Sequence, residues 1–388
     1  MRRQGRSRRE VLADLKRILA KDSKYEDGKV LSSMCADPQP VAKTAHNMFL
    51  SSNLGDPGLF PGSRKLEKDV VSQLSDLLNC RRGVGFVVSG GTEANLMAMW
   101  AARNMSSTSS PEVVVPESAH FSFNKICNLL KLKLVSAKVD STYRVIPQEV
   151  ERNITRNTVA VIGTAGTTEL GVVDPIACLS KIAIARNVHL HVDAAFGGLL
   201  IPFLEPDMQD KLVFDFKLQG VKSLTVDPHK MGMCTIPAGG ILFRNKKIIH
   251  CIRTDTPYLT ENAQYTIVGT RSAASVAATW SVFELLGREG FRETVKRCLI
   301  LTKFLSKEIE AAGLQLLVEP TLNIVAFRTS NSLQTAEHLH KKGWSVSYVP
   351  RLNCLRAVIM PYLRRRHAKA FIRDLKETVQ LMKGSQDL

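Results

Sequence analysis

Three short stretches of this chain carry side chains that could do chemistry together. In Ser89-Gly90-Gly91-Thr92-Glu93-Ala94-Asn95, glycines and hydroxyls stand where a helix bearing Leu96, Met97 and Trp100 on its apolar side begins. Free amides at a helix start, with hydroxyls beside them, suit a phosphate. The stretch lacks the Gly-Lys-Ser/Thr of a P-loop. Gly83-Val84-Gly85 fails as a dinucleotide fingerprint, because Val88 stands where the third glycine belongs. Taken alone, the motif is equally well explained as an ordinary strand-to-helix turn.

The second stretch, His191-Val192-Asp193-Ala194-Ala195-Phe196-Gly197-Gly198, presents a carboxylate at a strand end, then small residues that let a flat group approach the backbone. His189, His191 and Asp193 alternate and share a face, which invites a metal reading. A strand inside a parallel sheet buries such a face, and no further His or Cys cluster lies near it in sequence, so no metal is expected. In the third, Asp227-Pro228-His229-Lys230-Met231-Gly232, proline enforces an extended exit and presents a lysine beside an imidazole. A lone lysine is ordinarily a solvated surface group.

The combination changes that estimate. A phosphate cradle, an acid and a lysine, in this order along the chain, fit the needs of pyridoxal phosphate. Amides fix the phosphate, the acid keeps the pyridine nitrogen protonated, and the lysine amine forms an imine with the aldehyde. The ring also needs a flat partner. Ala119-His120-Phe121-Ser122-Phe123 offers the imidazole of His120.

Short β-branched runs must position these groups: 85–88, 113–115, 159–162, 188–192, 223–226 and 240–243. Separated by helical stretches, they imply an α/β fold with a mostly parallel central sheet covered on both faces, whose ligands gather at the carboxyl ends of the strands. Ahead of them, Val11, Leu12, Leu15, Ile18 and Leu19 predict an amphipathic helix over 10–21 that must dock on something larger. Residues 53–62, NLGDPGLFPG, read as a rigid loop. Beyond the sheet come a long helical region (266–312), a strand (322–328), a helix (333–342), strands at 345–349 and 355–360, and a final helix. Three parts are expected: an N-terminal helical arm (1–52), a large cofactor-binding domain (53–265), and a long helix with a smaller C-terminal α/β domain (266–388).

At 388 residues, 44% of them hydrophobic, the chain can bury one large core and a smaller one. No apolar run approaches the roughly 18 residues of a membrane span, and the N-terminus has no apolar core ahead of a cleavage site. Eight cysteines are spread singly with no C-x-x-C pair, which fits a reducing cytoplasm. The formal charge of +17 includes Arg2, Arg3, Arg6, Arg8 and Arg9, and the run Arg364-Arg365-Arg366. Such a surface attracts polyanions. Plain surface charge is the expectation, with nucleic-acid binding and an Arg-rich leader as the alternatives.

At these residues the chain resembles the group II pyridoxal-phosphate decarboxylases of the aspartate-aminotransferase superfamily (fold type I), most closely the archaeal L-tyrosine/L-aspartate decarboxylase family. The resemblance runs through Tyr25-Glu26-Asp27-Gly28, Asn53 to Phe60, the SGGTEAN turn, the AHFSF segment, Gly163 to Gly171, HVDAAFGG, DPHKMG and Gly269-Thr270-Arg271. It implies that Lys230 carries the cofactor as a Schiff base, Asp193 pairs with the pyridinium nitrogen and His120 stacks on the ring. It further implies that Gly91, Thr92 and His229 help hold the phosphate, that Thr167 lies beside the ring, and that Ala195 packs on its other face. A homodimer with a shared active site is implied, in which Thr270 and the loop ending at Phe60 serve the neighbouring subunit. The implied reactions are L-aspartate to β-alanine, for coenzyme A, and L-tyrosine to tyramine, for methanofuran, with a lean to aspartate. Phe60 is a candidate substrate contact, and so is Arg356, whose guanidinium suits a substrate carboxylate; a plain strand arginine is the alternative for Arg356.

Three rivals stay open on sequence grounds. Sphingosine-phosphate lyases share the loop before Phe60 and a D-x-H-K lysine motif, but usually carry a membrane helix. An enzyme acting on aminoacyl-tRNA would give the charge a purpose, and a non-catalytic binding protein would leave Lys230 without cofactor.

Overall fold

A computed structural model describes residues 1–81 and 83–384. Seven strands form the central sheet: β1 (Val84–Val88), β2 (Glu112–Pro116), β3 (Lys133–Ala137), β4 (Thr158–Thr164), β5 (His189–Asp193), β6 (Val221–Val226) and β7 (Gly239–Phe243). Their order is β1-β7-β6-β5-β4-β2-β3. Strands β2 to β6 pair parallel, whereas β7 runs antiparallel to β1 and β6. Both faces are covered, so the strands read as continuous apolar runs, and alternate residues feed two separate cores. Val192, Leu224 and Leu242 enter one, with the helix Pro61–Leu77. Ile162, Ile241 and Phe243 enter the other, with the helix Gly91–Asn104.

β8 (Thr254–Asp255) and β9 (Ala263–Gln264) make a short ribbon. A second, antiparallel sheet of order β10-β11-β13-β12 joins β10 (Gln315–Leu316), β11 (Ile324–Arg328), β12 (Ser347–Val349) and β13 (Cys354–Val358). Its own core gathers Phe327, Leu355, Trp344 and Phe371 under the helices Ser332–Lys341 and Arg365–Gly384. The long helix begins at Ala274 rather than near 266 and is interrupted at Gly287 (φ 54°, ψ −170°). Residues 271–273 are occupied instead in backbone bonds to Ser52 and Leu54.

The N-terminal helix forms as expected, Arg8–Leu19, with Ser7 and Glu10 closing a capping box. Its expected docking is not met within this chain, because none of its residues is buried. The 53–60 loop is tied down. Asn53 Oδ1 accepts from the amides of Gly55 and Arg271, and Gln264 donates to the Gly55 carbonyl at 2.7 Å. No helix among the described residues is long and apolar enough to cross a membrane.

Arg271 and Glu67 form a two-pronged ion pair, at 2.6 and 3.2 Å, with both side chains only 12% exposed. Arg271 also donates to the Val87 carbonyl at 2.9 Å, and Glu67 accepts from the Val87 amide at 3.1 Å, so the pair clamps the strand that delivers Ser89. Removing one partner leaves an uncompensated charge. Glu67→Ala or Arg271→Ala is expected to cost about 3–5 kcal/mol in denaturant unfolding. The double variant should cost clearly less than the sum; additivity would show that the pair is not coupled.

Candidate active site

The strand ends that carry the three motifs meet because the sheet register aligns them. Thr164 at the end of β4 lies opposite Asp193 at the end of β5, and Asp193 opposite Thr225 on β6. Side chains two residues apart share a face, so His189, His191 and Asp193 project together toward the helix Gly91–Asn104. Around this edge lies a cavity of about 290 Å³ lined by Ser89, Gly90, Gly91, Thr92, Asn95, His120, Thr164, Asp193, Ala195, Asp227, His229 and Lys230, with Gly166, Thr168 and Phe196. Larger clefts of about 810 and 460 Å³ open elsewhere, the first among Arg297, Tyr362 and Arg364 to Arg366. Acid, lysine and imidazole meet in the smaller one.

Lys230 reaches the cavity from the turn after β6, with Nζ 3.2 Å from Asp227 Oδ2. Asp227 is 2% exposed, and its other oxygen has no hydrogen-bond partner. His229 faces Nδ1 toward the Ala238 carbonyl, which leaves Nε2 on the Asp227 side, 3.7 Å from Oδ2. Asp193 accepts through both oxygens, from the Ala195 amide at 3.1 Å and from Asn95 Nδ2 at 2.8 Å. His120 Nδ1 accepts from the Ser122 amide at 3.2 Å, so a neutral ring carries its proton on Nε2. Burial, assisted by the Lys230 charge and opposed by Asp193, lowers the His120 pKa and favours that neutral ring.

His189 and His191 do not point to a metal. Both bond to Ser223 Oγ, at 2.7 and 2.8 Å. Burial pushes their pKa values down to about 3 and about 4. A folded pKa below the ordinary 6.5 gives stability that is present above pH 6.5 and lost as pH falls toward 4 and 3. By pH 5 the loss should reach about 2 kcal/mol per histidine. Asp174, raised to about 6 by burial, works the opposite way and gains below pH 6. His189→Gln should therefore flatten the acid side of a urea-midpoint profile between pH 6.5 and 5. An unchanged slope would contradict the account.

Among the sequence-predicted residues, Gly91, Thr92, His120, Asp193, Ala195, His229 and Lys230 converge on the cavity. Four do not line it. Thr167 is buried, and its hydroxyl accepts from the Val172 amide at 3.2 Å within its own loop; Thr164 and Thr168 face the cavity in its place. Thr270 is exposed, and Phe60 precedes the helix Pro61–Leu77. Arg356 stands one layer back. It donates to the Thr168 carbonyl at 2.8 Å, to Ser347 Oγ at 3.1 Å and to the Ser32 carbonyl, while its Nε has no partner. Sequence reasoning gave no role to Asp227, although it stands in the same motif as Lys230. It also passed over Asn95 and Thr164, which have no local signal beyond their places at a helix start and a strand end.

The site fits pyridoxal phosphate on its own geometry. A Cβ on Gly91 would sit 3.0 Å from the Asp227 carboxylate and 3.2 Å from Ala195 Cβ, so only glycine leaves that cradle open. A Cβ on Gly239 would come within 2.4 Å of the Gly90 backbone, which packs the turn against β7. The Thr164 hydroxyl and one Asp227 oxygen are buried, border the cavity and lack partners. The donors of the Ser89 to Thr92 turn, the Asp193 carboxylate and the Lys230 amine border one cavity, and these are the groups that a phosphate, a ring nitrogen and an aldehyde call for.

Comparisons agree with this chemistry. Residues 56–330 match the pyridoxal-dependent decarboxylase conserved domain. A probable L-tyrosine/L-aspartate decarboxylase of Methanothermobacter thermautotrophicus is 48% identical over 354 residues, covering 91% of this chain and 98% of the relative. An L-aspartate decarboxylase of Thermococcus kodakarensis is 44% identical over 376 residues, covering 96% and 97%. Among solved structures, a sphingosine-1-phosphate lyase of Burkholderia pseudomallei superimposes with a TM-score of 0.91 at 25% identity, covering 100% of this chain and 94% of the lyase chain. The architecture is pyridoxal-phosphate fold type I. With the lysine, the acid and the cradle converging on one cavity, and with relatives this similar over nearly their whole length, the chain belongs to the pyridoxal-dependent decarboxylase family and is a pyridoxal-phosphate-dependent amino-acid decarboxylase.

Proposed function

We propose that the chain decarboxylates L-aspartate to β-alanine, with L-tyrosine as a second substrate, at the cavity built on Lys230 and Asp193. Lys230 would hold the cofactor through Nζ, and Asp193 would face its ring nitrogen. His120 and Ala195 would flank the ring, and Gly91, Thr92 and His229 would hold its phosphate, assisted by Ser89. When bound, the cofactor supplies an electron sink for the pair released as the α-carboxylate leaves. Asp193, held by two N–H donors, keeps negative charge deep in the site. Asp227 holds Lys230 Nζ in place, and that nitrogen, the one side-chain amine lining the cavity among the described residues, would return a proton to the substrate α-carbon. Arg356 acts through Thr168, whose carbonyl it fixes at the cavity wall. Thr270 and Phe60, which lie outside the cavity of their own chain, fit a homodimer in which they complete the partner's site.

The observation that carries the substrate reading is the naming of the relatives, in which L-aspartate stands in both and L-tyrosine in one. Product analysis after separate incubation with L-aspartate and L-tyrosine tests this. β-Alanine formation faster than tyramine formation is expected. No product from either acid, despite bound cofactor, would overturn the assignment and favour carbon–carbon cleavage of the kind suggested by the lyase neighbour.

A further inference from the structure

Beneath Asp193 lies a buried polar array that the reaction as described does not use. Asn95 Nδ2 donates to Asp193 Oδ2 at 2.8 Å, while Asn95 Oδ1 accepts from Thr225 Oγ1 at 2.7 Å and lies 2.9 Å from His191 Nε2. His191 Nδ1 is 2.8 Å from Ser223 Oγ, which is 2.7 Å from His189 Nε2. Asn95, His191, Ser223 and Thr225 are at most 1% exposed.

The proton positions follow from what each atom can do. Asn95 Oδ1 only accepts, so His191 carries its proton on Nε2. Burial holds that imidazole neutral, which leaves Nδ1 bare to accept the Ser223 hydroxyl proton. With its single proton committed, Ser223 Oγ accepts from His189 Nε2–H. His189 Nδ1 is then bare, and it has no partner in the structure. The donors therefore run one way, from His189 through Ser223, His191 and Asn95 to the Asp193 carboxylate, with Thr225 joining at Asn95, whose Nδ2 also reaches Ser122 Oγ at 3.5 Å.

We propose that His191 is a positioning residue for Asp193: by donating from Nε2 to Asn95 it locks that amide with its N–H toward the carboxylate, and so sets how firmly Asp193 presents charge to the cofactor's ring nitrogen. A flipped Asn95 would turn a carbonyl toward Asp193. The inference rests on the assignment of Asp193 to that nitrogen.

Gln at position 191 can place a nitrogen donor where Nε2 stands, whereas Phe keeps a ring and removes the donor. The apo forms of the parent, His191→Gln, His191→Phe and Asp193→Asn are titrated with pyridoxal phosphate. For each, the dissociation constant and the visible spectrum from pH 6 to 9 are recorded, with thermal unfolding as a control. The Gln variant should match the parent. The Phe variant should bind roughly tenfold more weakly and show a displaced pH response of the visible band, in the same direction as Asp193→Asn. If Phe binds like the parent while Asp193→Asn is weakened, or if Gln and Phe are weakened alike, the inference falls and the role of Asp193 stands. If Asp193→Asn changes nothing, the assignment of Asp193 falls, and the inference with it. Should the Phe variant not fold, His191→Met, which removes the same donor with a flexible side chain that adapts to the buried space, decides: weaker binding with a displaced pH response supports the inference and parent-like binding overturns it.

Discussion

Lys230→Ala is expected to remove carbon dioxide release from every amino acid tested, by about 10³-fold or more, and to remove the visible absorption of bound cofactor. The site holds one lysine, and its Nζ lies against a buried carboxylate, so no other described amine can take its place at that point. Alanine has a side effect, because Asp227 would lose the cation facing it while its second oxygen already lacks a partner. Lys230→Gln separates the two consequences. Its amide can still donate to Asp227 Oδ2, so it should unfold near the parent temperature, yet it cannot form the covalent link. Retained activity in the Gln variant would remove Lys230 from the mechanism.

Asp193→Asn is expected to lower kcat by on the order of 10²–10³-fold while changing KM for the amino acid far less. The charge is lost, and so is the hydrogen-bond pattern. Both Asp193 oxygens accept from N–H donors, so the asparagine amide must turn its NH₂ toward either the Ala195 amide or Asn95 Nδ2. Asn95 cannot rotate to relieve this, because its own oxygen is held by Thr225 and His191. A stability loss of about 1–3 kcal/mol should accompany the kinetic effect. An Asp193→Asn enzyme with unaltered kcat would show that charge at this position plays no part in catalysis.

Much of the sheet was legible because its strands are buried on both faces, and uninterrupted apolar runs such as Val159 to Ile162 announce themselves. β3 escaped notice. It is an edge strand with Lys133 and Ser136 exposed, so polar residues break its pattern. The reversed direction of β7 was not visible either; the connection after β6 carries no helix to cross back over the sheet. In the site, Lys230, Asp193 and His120 stood out because each ends or follows a strand within a motif. Asn95, Thr164 and Asp227 acquire meaning only from register and packing, which place Thr164 beside Asp193 and Asp227 beside Lys230. Thr167 illustrates the converse, since a threonine adjacent in sequence turns its hydroxyl into its own loop.

The most direct test of the account is to reduce the cofactor-loaded protein with borohydride, which fixes the cofactor to the amine that holds it, then digest it and map the added mass. The account expects the modification on the peptide containing Asp227-Pro228-His229-Lys230, and its absence from that peptide in Lys230→Gln. Modification of a different lysine in the parent protein, with position 230 unmodified, would contradict it.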